Sequence, residues 1–193
     1  SKVAGPGPGH NAWMMTATAL VLFMTLPGLA LFYGGLVRRK NVLSTLNLSF
    51  FMIALISIQW VLFGYTLSFG PDQAGLIGGL EHLGFRGVGA APSAYAPTIP
   101  QTAFGAYQMM FAVITPALIT GAFVERVRFR AFVLFSLLWA TFVYDPVCHW
   151  VWGEGGLLRS LGALDFAGGT VVHITAGFSA LAFAAVIGKR RGF

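Results

Sequence analysis

The sequence predicts an all-α polytopic membrane bundle of five transmembrane helices, and three observations predict it. Of its 193 residues, 56% are hydrophobic and 9% are charged, with a mean hydropathy of +0.76, too few polar side chains to cover a soluble domain. Five apolar runs, at 12–36, 42–69, 102–124, 129–150 and 166–188, each reach the roughly 20 residues that cross a hydrocarbon core as a helix. Basic residues crowd into alternate loops, as Arg38, Arg39 and Lys40, then Arg126, Arg128 and Arg130, then Lys189, Arg190 and Arg191. Lys2, Arg86 and Arg159 occupy the opposite loops, so the positive-inside rule places the N-terminus outside and the C-terminus in the cytoplasm.

The same features exclude several functions. A net charge of +6 suits nucleic acid in a soluble protein, but these cations lie in short clusters between apolar runs and act as topology signals. No nucleic-acid partner is expected. Cys148 is the single cysteine, which rules out a disulfide framework within one chain and a Cys-rich zinc site; it is expected to be a small packing residue. GxxxxGK[ST], HExxH, GxSxG and a strand-borne GxGxxG are all missing, so neither an enzyme nor a cofactor is expected. The chain is expected to be a multi-pass plasma-membrane protein, in a bacterial inner membrane.

The opening SKVAGPGPGHNAW lacks the basic-then-apolar pattern of a leader and is expected to be an extended outer tail. The first run ends at the RRK cluster. Residues 71–101 form an outer loop whose glycines and prolines deny it a continuous helix beyond one short surface turn, and Asp72, Glu81 and Arg86 keep it wet. His82 within it is expected to be a solvated loop histidine.

In the third run, Phe104, Gln108 and Phe111 share a stripe at i, i+4 and i+7, which suits helix packing or an aromatic gate. Pro116 kinks the helix just beyond. Glu125, among three arginines, is expected to make a cytoplasmic ion pair. The fourth run closes with YDPVCHWVWGEGG, in which Trp150 and Trp152 point about 200° apart on a helix and so take different roles. One anchors at the membrane interface, and the other offers an indole face to a cation.

The fifth run, LDFAGGTVVHITAGFSALAFAAVIGKR, places Asp165 at its entrance as a helix cap, facing an outer vestibule in the alternative. His173 sits two turns in, with Gly169 and Gly177 four residues to either side. An ionisable group at this depth faces the bundle interior; it lines a pore or is a core histidine bonded to a carbonyl.

Several of these segments together resemble the ammonium transporter family, Amt, related to yeast MEP and animal Rh proteins. They are NAWMMTATALVLFMTLPGLALFYGGLVRRKNVLS, GAFVERVRF, HWVWGEGG and GALDFAGGTVVHITAG. The resemblance implies a homotrimer of eleven-helix subunits, each with its own ammonium-conducting pore, and a PII-type cytoplasmic regulator as partner. By position, Trp152 resembles the outer-site tryptophan that binds ammonium and Asp165 the aspartate beside it. Phe111 resembles one of two stacked phenylalanines at the outer mouth, and His173 the first of the twin pore histidines.

The implied mechanism binds ammonium at Trp152, strips its water at Phe111, removes a proton and passes the neutral species along His173. Potassium cannot shed a proton and is refused. Two departures stand out: Glu154 and Asp145 add acids expected to alter vestibule charge, and the five helices match only the first of two inverted halves. Two other readings stay open, an ammonium sensor of the same family and a haem-binding bundle ligated by His149 and His173.

Overall fold

The computed structural model describes residues 7–189; of the opening expected as an extended tail, residues 1–6 lie outside these, and the helix already begins at Pro8, whose fixed φ suits a first turn. Five long apolar helices dominate it: α1 (Pro8–Gly35), α2 (Arg39–Phe69), α3 (Gln101–Phe123), α4 (Phe129–Ser160) and α5 (Gly169–Ile187). Lipid offers no partner to backbone N–H and C=O groups, so each crossing closes its hydrogen bonds within itself. The central helix is α3, with 56% of its most apolar window buried against 17% in α1 and in α5.

None of the long helices is uniform. In α1, Leu26 leaves the helical region (φ −132°, ψ 117°) directly before Pro27, whose ring disfavours a helical residue at that position. Wide turns interrupt α2 at Trp60–Gly64 and α4 at Ala140–Tyr144, and one opens α5 at Gly169–Ile174. The helical hydrogen bonding of α3 runs to Ala117, one residue past Pro116, and restarts at Thr120. The α4 backbone turns extended at Gly153 before a last short turn, Leu157–Ser160.

The loop after α2 holds a small antiparallel hairpin, β1 (Asp72–Gln73) with β2 (Ile77–Gly78), and a 3-10 turn at Leu83–Phe85. The one short turn expected in this loop is the one at Leu83–Phe85; the hairpin was not expected, and forms where Ala74 and Gly75 adopt positive φ (57° and 76°) and reverse the chain tightly.

Contacts sort the loops into two ends. At one, Glu125 pairs with Arg38 at 3.2 Å and with the Asn41 amide, and Arg126 donates to the Gly188 carbonyl. These are the basic loops. At the other, Gly7 N–H donates to Thr98 O (2.9 Å) and Leu157 N–H to Gly75 O (2.9 Å). The ion partner of Glu125 is thus Arg38, from the α1–α2 loop, rather than one of its neighbouring arginines.

Between the ends, Trp60, Tyr65, Phe69, Phe104, Trp139, Tyr144 and Cys148 build a buried aromatic-rich core. Phe104 belongs here, stacked on Tyr95 at 5.4 Å and edge-on to Phe69 at 5.1 Å. On the Phe104–Gln108–Phe111 stripe, Phe104 thus takes the helix-packing alternative, while Gln108 and Phe111 line a recess.

Candidate functional site

Trp152 is the last helical residue before the glycine turn 153–156. Its indole N–H donates to the Asp165 carbonyl (3.1 Å), and its ring meets Phe111 edge-on at 6.1 Å. Phe111 in turn meets Tyr107 at 5.0 Å. These rings wall an open recess of about 520 Å³ at the less basic end, completed by Val21, Met24, Gln108 and residues Phe166 to Gly168. Gln108 lines this wall, while its Oε1 is buried and has no hydrogen-bond partner among the described residues. Sequence reading placed Gln108 on the stripe without a role; a polar side chain facing aromatic neighbours was the available signal. Trp150, by contrast, donates to Leu76 O at 2.7 Å on the exposed rim, so the two tryptophans have different partners.

Asp165 reaches the site through its backbone. Its carboxylate Oδ2 accepts from Thr170 N–H (3.0 Å) and Val171 N–H (2.9 Å), satisfying two of the unpaired donors at the start of α5. The same residue therefore starts α5 and fixes the indole of Trp152.

His173 lies one turn into α5, not two, because the helix begins at Gly169. Its N–H donates to Gly168 O five residues back, the signature of the wide turn. This winding takes Gly169 off the expected Gly169–His173–Gly177 stripe, its Cβ direction pointing toward Asp165, while Gly177 stays on one groove with His173 and a Cβ there would meet open space. His173, Ile174, Gly177, Phe178 and Leu181 instead line a shallow apolar groove. Phe178 and Leu181 are 70% and 68% exposed, so this face of α5 is uncovered. Trp152, Phe111 and Asp165 come together, and His173 stands apart from them. It lies five residues past Gly168 at the recess wall, roughly 7–8 Å along the helix.

A second polar cluster was not visible in the sequence. Asp145, read there as a vestibule charge, is fully buried and accepts from Gln59 Nε2 (2.6 Å) and Ser68 Oγ (3.5 Å) of α2. One turn on, His149 is also fully buried, with Nδ1 on the Ser68 carbonyl (3.0 Å) and Nε2 on Asp72 Oδ1 (2.9 Å). A carbonyl only accepts, so Nδ1 donates. With both ring nitrogens engaged, His149 has none to give an iron, and the haem reading fails on this geometry. Among the described residues, no three His, Cys, Asp or Glu side chains gather as a metal site.

Outside the spans, the electrostatics follow these contacts. The His149 hydrogen bond, helped by the Gly75 N–H, holds Asp72 below the usual carboxylate range against partial desolvation. The Asn41 amide, with Arg38 behind it, lowers Glu125 to about 2. Burial pushes the Tyr95 phenol up. Glu154 is exposed, and its N–H donates to that phenol at 2.8 Å.

A sequence model of the Ammonium Transporter Family matches residues 12–193. The chain belongs to the ammonium transporter family. It is 58% identical over 183 residues to the ammonium transporter of Bacillus subtilis, covering 95% of this chain and 45% of that relative. The crystal structure of Candida albicans Mep2 matches with a TM-score of 0.88 at 39% identity, covering 96% of this chain and 40% of that one. A structure titled a sensor Amt protein matches with a TM-score of 0.84 at 28% identity, over 93% of this chain and 44% of its own. The chain thus spans less than half the length of the family members it matches, and the five helices make it a multi-pass membrane protein.

Proposed function

We propose that this chain builds one half of a pore that conducts ammonium-derived nitrogen, with a cation-binding site at Trp152 and Phe111, Asp165 holding that site, and His173 lining the path. The observation that carries this reading is the meeting of Trp152 and Phe111 at one aromatic-walled recess, the indole held by the Asp165 carbonyl, with His173 farther along the helix whose start closes it. An indole face attracts an ammonium ion by about 0.5–2 kcal/mol, more as water is excluded. The basic end faces the cytoplasm by the positive-inside rule, so the recess opens outward.

Beyond it, an imidazole offers one donor and one acceptor to a small solute stripped of water. The apolar groove around His173 suits a neutral species and penalises an ion that keeps its charge. This supports selection against potassium, which has no proton to lose. The uncovered face of α5 supports a path completed by a second inverted half.

On this reading the protein is a transporter and not an enzyme, in a bacterial inner membrane. By family resemblance it is a homotrimer whose basic end meets a PII-type regulator. Sensing of ammonium through the same recess, coupled to a signalling partner, is a second reading, favoured by the likeness to the sensor Amt structure. Flux and binding separate the two. With the chain joined to the second half of the Bacillus subtilis relative, transport predicts ammonium uptake that Trp152→Ala lowers, and sensing predicts ammonium binding without net uptake.

A further inference from the structure

The hairpin β1–β2 is fastened to the end of α4 by several independent contacts. His149 Nε2 meets Asp72 Oδ1 at 2.9 Å, Trp150 Nε1 donates to Leu76 O at 2.7 Å, and Leu157 N–H donates to Gly75 O at 2.9 Å. The turn between is packed without slack. A Cβ at Gly155 would stand 2.8 Å from Asp72 Cβ, and one at Gly156 would stand 2.1 Å from the His149 carbonyl. Gly153 N–H closes back on that same carbonyl at 2.9 Å. Trp152 sits inside this knot, and its indole N–H takes the Asp165 carbonyl on the far side.

We infer that the Asp72–His149 pair positions Trp152: by holding the hairpin to the glycine turn, it sets the angle at which the indole meets Phe111 and the recess. The inference rests on the reading of Trp152 as the cation-binding face. Asp72 and His149 touch no substrate in this scheme; they act through the turn. His149 is fixed from both sides, by Ser68 O within α2 and by Asp72 from the loop, so it transmits the loop's position rigidly.

The test uses the chain joined to the second half of the Bacillus subtilis relative, in liposomes, with ammonium-dependent current measured against ammonium concentration. His149→Asn keeps a donor near Ser68 O and loses the reach to Asp72. Asp72→Ala cuts the pair from its exposed side, where folding is least at risk. Asp72→Asn removes the charge and keeps a hydrogen-bonding partner for Nε2.

The expected result is a rise of about fivefold in half-saturating ammonium for His149→Asn and Asp72→Ala, within the range a misplaced cation–ring contact spans. Maximal current stays within about twofold of the parent, and Asp72→Asn stays near the parent. The two cuts combined have no larger effect than either alone. In parallel, the ¹⁵N-indole resonance of Trp152 shifts in both cut variants.

Three results would overturn the inference. One is an unmoved indole resonance and unchanged half-saturation in both cut variants. Another is Asp72→Asn matching Asp72→Ala, which would assign the effect to charge alone. The third is an equal effect of Asp72→Ala in a Trp152→Ala background. If Trp152→Ala leaves half-saturation unchanged while the cut variants still move the indole, the substrate reading of Trp152 fails and the positioning stands.

Discussion

Gly64→Ala should act against the ordinary rule for helices. Gly64 has helical backbone angles (φ −62°, ψ −43°), so alanine fits its backbone, and a Gly-to-Ala change inside a helix normally stabilises by up to about 1 kcal/mol. Here the new Cβ would stand 2.7 Å from Gln59 Oε1 and 2.9 Å from Gln59 Nε2. Gln59 is buried and cannot swing into solvent, so its amide must leave Asp145, to which it donates at 2.6 Å. Stripping a partner from a buried polar group costs about 1–3 kcal/mol. Set against the propensity gain, Gly64→Ala is expected to be neutral to destabilising by about 2 kcal/mol. In a Gln59→Ala background the obstruction is gone, and the same change should stabilise by up to about 1 kcal/mol. The coupling between the two sites is then about 1–3 kcal/mol, measured as a double-mutant cycle from denaturant or thermal unfolding in detergent micelles. Equal effects of Gly64→Ala in both backgrounds would refute the packing of Gln59 between Gly64 and Asp145.

Other perturbations test other parts of the molecule. The lowered Glu125 carboxyl contributes stability that is fully present above about 4.5 and is lost as pH falls from there toward about 2. Wild type should therefore lose more thermal stability than Glu125→Gln between pH 5 and 3, and the two should run parallel from pH 6 to 8. Gly156→Ala would press on backbone oxygens of His149 and Trp150, which cannot rotate away; we expect a displaced glycine turn and higher half-saturating ammonium, read from uptake curves. Asp165→Ala removes the acceptor of two amide donors at the start of α5, at about 0.5–2 kcal/mol, while Asp165→Asn keeps much of it. Faster amide exchange at Thr170 and Val171 in Asp165→Ala, but not in Asp165→Asn, would be the signature.

The bundle is legible in the sequence because lipid enforces two simple rules, apolar length and internal hydrogen bonding, and because the alternation of Arg38–Lys40, Arg126–Arg130 and Lys189 leaves a topology record. The separate surroundings of Trp150 and Trp152 are legible too, since helical spacing alone turns them apart. Winding is less so. Nothing in the composition of GTVVHI separates a wide turn from an ordinary one, and that difference moves His173 out of register with Gly169. Partners distant in sequence are also hidden: Asp145 looks like an end-of-helix charge until Gln59 and Ser68, 86 and 77 residues away, close on it. Glu125 finds its partner 87 residues back for the same reason. The clamp on Trp152 was missed because Asp72 lies in a loop whose glycines and prolines suggest only irregular chain, and the hairpin exists through two positive-φ residues.

The central claim is that His173 lines the path of ammonium-derived nitrogen. The most direct measurement is ammonium-dependent current in liposomes holding the chain joined to the second half of the Bacillus subtilis relative, with potassium as competitor, for the parent and for His173→Ala. The account predicts that the parent conducts with ammonium and not with potassium, and that His173→Ala loses this current or its selectivity while outer-site binding at Trp152 persists. An unchanged, potassium-refusing current in His173→Ala would contradict it.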